Sequence, residues 1–175
     1  MEYVDVYTAQ RTPVGRIEER GKPLGDGEYR IIVHAAIFNS RGELLIQQRQ
    51  PFKSGWPNLW EVTVGGSAIA GDTSRSAAER ETLEEIGLHI DLSSEQPKLT
   101  IPFDCGFDDV YTLTMDVDLS ALTLQESEVQ AVKWASEDEI LAMLADGRFI
   151  PYHRAFIQLI FALKDSRGAH VSKLG

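Results

Sequence analysis

The chain has 175 residues, 43% hydrophobic and 25% charged, a length and balance that fit one folded domain with its own core. A single cysteine, Cys105, excludes an intramolecular disulfide framework and a cysteine-based zinc cluster. The formal charge of −10, from 27 acidic and 17 basic side chains, argues against binding a nucleic acid polymer or an anionic membrane surface. An anionic small molecule stays compatible with it if metal ions supply positive charge. The first residues, Met1-Glu2-Tyr3-Val4-Asp5, lack the basic and apolar regions of a signal peptide. The apolar runs near Ile31–Phe38 and Ile157–Leu163 are too short to span a bilayer, so a cytoplasmic protein is the expectation.

Taken in order, Glu2–Thr8 reads as a strand, Arg11-Thr12-Pro13 as a turn and Val14–Arg20 as a second polar segment. Gly21, Pro23, Gly25 and Gly27 mark a loop, and residues 1–28 together read as a hairpin-like extension of a single domain spanning 1–175. Tyr29–Asn39, rich in β-branched and aromatic residues, predicts a central strand, with Glu43–Arg49 as its hairpin partner across a turn at Asn39-Ser40-Arg41-Gly42. Residues 50–59 read as a loop, Trp60–Val64 as a short strand and Gly65–Asp72 as a glycine-bearing loop. Thr73–Ile86 predicts a helix, with Thr73 or Ser74 as its cap and Gly87 as its stop. Strands follow at Lys98–Phe103, Val110–Asp118 and Val129–Trp134, then helices at Ser136–Ala145 and Pro151–Lys164. The alternation predicts an α/β or α+β domain, a mixed sheet with helices on its faces.

The chemistry concentrates in residues 66–88. On a helix that turns about 100° per residue, Glu81, Glu84 and Glu85 share one face. Ser74, Ala77 and Ala78 precede them there, while Thr82, Leu83 and Ile86 are left to pack on the sheet. Like charges at these spacings cost a few tenths of a kcal/mol per pair, roughly, unless something offsets them. A hard divalent cation does so, because Mg²⁺ takes oxygen ligands and is commonly shared with phosphates. Arg80, four residues before Glu84, is a second brace. Spacing alone fits a solvated acidic face equally well.

The whole stretch, GSAIAGDTSRSAAERETLEEIGL, resembles the signature of the Nudix hydrolases, G-x5-E-x7-R-E-U-x-E-E-x-G-U with U aliphatic. The matching positions are Gly66, Arg80, Glu81, Glu84, Glu85, Gly87 and Leu88. Asp72 stands where that family has Glu, and Thr82 where it has an aliphatic residue. The resemblance implies an α/β/α sandwich and hydrolysis of a nucleoside diphosphate linked to another moiety, with Mg²⁺ or Mn²⁺ as cofactor. It implies that Glu81, Glu84 and Glu85 hold the metal, one of them also taking a proton from the attacking water. A backbone carbonyl of Gly65 or Gly66 completes the set, and Arg80 orients the carboxylates. The shorter Asp72 is expected to pair with Arg80 less directly than a Glu would. Thr82 can bond back to the Ala78 carbonyl and remain in the helix.

The segment Leu45-Ile46-Gln47-Gln48-Arg49, with Lys53 and Pro57-Asn58-Leu59-Trp60, resembles the Nudix branch that contains isopentenyl-diphosphate isomerase. The resemblance implies that Arg49 and Lys53 grip a diphosphate, the alternative being ordinary surface charge. Glu126-Ser127-Glu128-Val129 resembles the isomerase's metal segment, with Glu128 as the candidate ligand and a solvated loop glutamate as the alternative. His34 matches a metal-ligand histidine there, or is a packing residue. The isomerase's Val-Cys-Gly-His is replaced by Val64-Gly65-Gly66-Ser67, which removes its catalytic cysteine and a metal histidine. Phe52, Trp56 and Trp60 flank this loop and either stack on a flat group or cover the core edge. The expected function is therefore metal-dependent hydrolysis of a small diphosphate compound. A non-catalytic Nudix module that binds a nucleotide or a protein is the alternative, and the isomerase is a weaker one. A homodimer is compatible with the sequence.

Overall fold

The computed structural model describes residues 2–166 and 168–170. A seven-stranded sheet runs in the order β5(Trp60–Val62), β4(Leu44–Arg49), β3(Arg30–Phe38), β8(Gly106–Thr114), β7(Leu99–Phe103). Off this path, β6(Val64–Ser67) pairs with β3, and β9(Val129–Ala135) pairs with β4. The pairing of β3 with β8 is parallel, and the other pairings in this sheet are antiparallel. The sheet separates α1(Ser74–Ile86) from α2(Glu137–Ala145) and α3(Arg154–Leu163), giving the α+β sandwich expected.

Alternation along β3 and β4 sets the two faces, because successive strand side chains point to opposite sides. Ala36, Phe38, Leu44 and Ile46 pack with Ile140, Met143, Ile157 and Ile160 of α2 and α3. Ala35, Ile37 and Leu45 pack with Val64 and Ile86 on the α1 side, and Ile31 and Val33 cluster with Ala77 and Ala78. No helix among the described residues is long and apolar enough to cross a membrane.

Three expectations change. The β3–β4 hairpin closes only at Phe38 and Leu44, and the strands then part. Thr63 bridges the split, since its hydroxyl accepts from the Ile37 N–H at 2.9 Å and donates to the Leu45 carbonyl at 2.6 Å. Its 0% exposure makes this satisfaction obligatory. The expected strand Trp60–Val64 is therefore two strands broken at Thr63, and the second continues through Gly65 and Gly66 instead of entering a loop there. Strand β8 also begins earlier and ends earlier than expected, at Gly106–Thr114. A Cβ at Gly106 would stand 2.6 Å from the Arg30 carbonyl, so the absence of a side chain lets β8 start beside β3.

Helix α1 has the ends its sequence predicts. Thr73 accepts from the Ser76 N–H while the Ser76 hydroxyl accepts from the Thr73 N–H, a reciprocal cap. Gly87 closes it in the left-handed region at φ 69°. A loop then caps its last carbonyls, with Thr123 N–H donating to Ile86 and Gln125 N–H to Glu85. That loop leads to Glu128 at the start of β9.

The N-terminal strands β1(Tyr3–Tyr7) and β2(Pro13–Glu19) form their own antiparallel hairpin. Tyr7 and Tyr29 exchange backbone hydrogen bonds at 2.8 and 2.9 Å, and the Ala70 N–H donates to the Tyr3 carbonyl. Arg11 makes a two-pronged ion pair with the buried Asp109 at 2.8 and 2.6 Å. Val4 and Val6 are buried beneath the hairpin.

Candidate active site

Two of the three carboxylates on the acidic face of α1 are turned away from solvent. Glu81 and Glu85 are 8% and 5% exposed, tucked toward the sheet, whereas Leu83, expected in the core, is 41% exposed. Glu81 fits because β6 has no side chain above it: a Cβ on Gly66 would lie 2.1 Å from the Glu81 carboxyl carbon. The neighbouring Gly65 makes room on the other face, where a Cβ would lie 2.9 Å from the His34 ring. The glycine pair thus admits one buried polar side chain on each side of the strand.

Arg80 is the hub at one end. Its guanidinium donates to Glu81 at 3.1 Å, Glu84 at 3.0 Å, Asp72 at 2.8 Å and the Ser67 carbonyl at 3.0 Å. The expected slackness at Asp72 is absent. A tight turn, with the Asp72 N–H donating to the Ile69 carbonyl, carries the shorter side chain into direct contact. Asp72 also accepts from the Ile69 N–H and the Ser76 hydroxyl. Burial opposes the charge of Arg80, but Asp72 and Glu81 more than compensate and raise its pKa further. Thr82 bonds the Ala78 carbonyl at 2.7 Å, as its position suggested.

The other end is built differently. Glu85 accepts from Gln47 Nε2 at 2.8 Å, and the same amide nitrogen lies 3.2 Å from Glu61. Burial pushes the Glu85 carboxyl up to about 8; the Gln47 hydrogen bond only partly offsets this, and the charges of Glu61, Glu81 and Glu128 add to it. Burial also raises Glu81, against the pull of Arg80 and then Arg20. Arg49 pairs with Glu61 at 2.8 Å and donates to the Gly55 carbonyl at 2.9 Å, which ties the 50–59 loop to β4. Lys53 pairs with Glu128 at 2.5 Å.

These groups meet at a cavity of about 130 Å³, lined by Gly65, Glu81, Glu84, Glu85 and Glu128 together with Arg49 and Lys53. Gln125 and, from the N-terminal hairpin, Glu2 and Arg20 complete its wall. Glu61 and Arg20 carry no motif and escape a reading of the sequence, and Gln47 lies in a quoted segment that assigns it no role. The signal for Gln47 is an amide that follows the apolar run Leu44–Ile46 on a buried strand.

Among the described residues, no three carboxylate, histidine or cysteine side chains converge closely enough to hold a cation as they stand. The protein's own cations and an amide occupy the carboxylates. The donor chemistry nonetheless fits a hard divalent ion. Glu85 is a buried carboxylate whose charge has no cationic hydrogen-bond partner, and the Gln47 Oε1 beside it is buried with no partner, an acceptor left for an incoming donor.

His34 lies elsewhere. It follows Val33 and precedes Ala35, both facing α1, so its ring faces α2 and α3. There Nδ1 contacts Asp108 at 2.7 Å and Nε2 the Tyr152 hydroxyl at 3.3 Å. Trp60 packs on the α2–α3 core with Lys133 over its ring, whereas Phe52 and Trp56 are exposed.

A mixed sheet between helices, with a carboxylate-bearing helix lodged beneath a glycine strand, is the sandwich that the resemblance in the sequence implies. The NUDIX domain family matches residues 28–159, three quarters of the chain, and the protein belongs to the Nudix hydrolases. It is 44% identical over 170 residues to an uncharacterised Nudix hydrolase of Listeria innocua, covering 97% of this chain and 99% of that one. A crystal structure of the Deinococcus radiodurans protein DR0079 superposes with a TM-score of 0.74 at 26% identity, over 90% of this chain and 98% of that one. The isopentenyl-diphosphate isomerase of Escherichia coli is a more distant relative, 25% identical over 145 residues and 80% of each chain. Nudix hydrolases generally require divalent metal ions.

Proposed function

We propose that the protein hydrolyses a small compound in which a nucleoside diphosphate is linked to another moiety, in a cytoplasmic setting and with Mg²⁺ or Mn²⁺. The observation that carries this reading is the shared cavity in which Glu81, Glu84, Glu85 and Glu128 face Arg49 and Lys53. Glu81, Glu84 and Glu85, with Glu128 and a carbonyl of Gly65 or Gly66, would hold the cation. The bound ion would lower the pKa of an attacking water and offset the diphosphate charge.

The chain's own residues do the rest. Arg80 keeps Glu81 and Glu84 oriented while anchored on Asp72. Glu85, buried and held only by the neutral Gln47 amide, would be positioned to accept a proton once a bound cation keeps it ionised. Arg49 and Lys53 exchange their internal carboxylate partners for phosphate oxygens. The presence of Gly65-Gly66-Ser67, without the isomerase's cysteine and histidine, supports hydrolysis over allylic isomerisation.

The test is a Mg²⁺-dependent screen of a diphosphate panel, identifying the released phosphate or nucleotide. Turnover that EDTA abolishes supports the reading, and no turnover of any member with either metal favours a binding module. On the substrate found, Arg49→Ala should raise KM by about tenfold, because a charge-assisted phosphate contact is lost. Lys53→Ala should raise it less, because an ammonium offers a point charge and not a fork.

A further inference from the structure

The N-terminal hairpin lies outside the matched family segment, yet it reaches the cavity. It is firmly docked, by the Tyr7–Tyr29 backbone pair, the Ala70–Tyr3 hydrogen bond and the buried Asp109 that holds Arg11. Strand β2 ends at Glu19, and the next residue, Arg20, stands on the wall of the cavity that Glu81 and Glu84 also line. Its backbone N–H donates to the Glu2 carbonyl at 2.9 Å, so its position is fixed by the hairpin register.

The cations around the cavity differ in what holds them. Arg80 is engaged by Asp72, Glu81 and Glu84. Arg49 is held by the buried Glu61, and Lys53 by Glu128, itself a candidate metal ligand. Arg20 pairs at 2.5 Å with Glu2, a carboxylate whose side chain is 54% exposed. An exposed pair of this kind is weak and readily exchanged for a stronger anion. The positions also differ. Arg49 and Lys53 reach the cavity from β4 and the loop that follows it, Arg20 from the N-terminal hairpin. The acidic row therefore meets cations from two separate chain segments across one cavity.

We propose that Arg20 is a substrate-binding residue, taking one phosphoryl group of the diphosphate while Arg49 and Lys53 take the other. This rests on the diphosphate hydrolase reading above. It makes the hairpin part of the binding site and gives the enzyme a means to require two linked phosphoryl groups. When substrate enters, the Arg20 guanidinium exchanges Glu2 for phosphate oxygens, and Glu2 turns to solvent.

The experiment measures binding of methylenediphosphonate, a non-hydrolysable P–C–P diphosphate, to the Mg²⁺-loaded full chain by calorimetry, alongside kcat and KM on the substrate found in the panel. Arg20→Ala should raise both Kd and KM by about tenfold with kcat within about twofold of wild type, the loss of one charge-assisted contact. Arg20→Lys should recover part of the binding. Glu2→Gln should bind at least as tightly as wild type, because it releases Arg20. If Arg20 merely staples the hairpin, Glu2→Gln and Arg20→Ala will weaken binding together and lower Tm together, which overturns the proposal. Unchanged Kd and KM in Arg20→Ala overturn it as well. A wild type that neither binds methylenediphosphonate nor hydrolyses any diphosphate instead brings down the hydrolase reading, and Arg20's role with it.

Discussion

Glu84 and Glu85 are neighbours in sequence and opposites in environment. The Glu84 side chain is 51% exposed and ion-paired to Arg80 one turn earlier. Glu85 is 5% exposed, and the side chain that holds it is a neutral amide. One end of the site is thus organised by charge in contact with water, the other by burial against β4. The difference teaches that an acidic face is not uniform. A 100° step along α1 carries one carboxylate onto the rim and the next into the sheet. A carboxylate on the rim keeps its charge cheaply, whereas a buried one needs a cation to be ionised without penalty.

The sharpest break in this comparison is Glu85→Gln. It should lower kcat by about 10²- to 10⁴-fold, the range expected when a positioned proton acceptor is lost. Circular dichroism should show the fold intact, because the amide is isosteric with the carboxyl. Turnover retained at saturating Mg²⁺ would remove Glu85 from the mechanism.

Next in size is the Arg80 end. Asp72→Ala should reduce activity by about 10- to 100-fold, the usual effect of losing a group that orients metal ligands, while the ligands themselves remain. Asp72→Glu should be slower than wild type by less than that. The Ile69–Asp72 turn is built around the shorter side chain, which serves Arg80, the Ile69 N–H and the Ser76 hydroxyl together. Steady-state kinetics of both variants test this, and a faster Asp72→Glu would show that the turn yields readily.

The smallest effect concerns pH and stability without metal. The Glu85 carboxyl rises from 4.5 to about 8 on folding, so between these values the folded state holds a proton that the unfolded state has released. Its contribution is fully present below about 4.5 and is lost as pH rises toward about 8. In EDTA, Tm should therefore fall across this window for wild type and for Glu84→Gln, with a shallower fall in Glu85→Gln. Saturating Mg²⁺ at the upper end should restore Tm in the wild type, because the ion binds only the folded state. Equal slopes in the two variants would mean that Glu84 and Glu85 do not differ as described.

The helix, its caps and the spacing of its carboxylates were legible in the sequence, because they depend on contacts three or four residues apart. Thr73, Ser76 and Gly87 close α1 through local hydrogen bonds, and Arg80 meets Glu84 within one turn. The elements of the central sheet were legible too, from their β-branched runs. The break at Thr63 was not, because its hydroxyl serves carbonyl and amide groups far along the chain, at Leu45 and Ile37.

Only the tertiary structure decided which carboxylates are buried and what surrounds them. Gly65 and Gly66 read as a loop by composition, but the sheet makes them a strand whose missing side chains admit Glu81 and His34. Gln47 became the partner of Glu85 through β4 crossing beneath α1, a meeting of residues 38 positions apart. The N-terminal hairpin brought Arg20 to the cavity by docking on Tyr29, Ala70 and Asp109. Local sequence fixes which residues share a helix face. Burial and charge pairing depend on distant chain segments, and these are brought together only when the hydrophobic core closes.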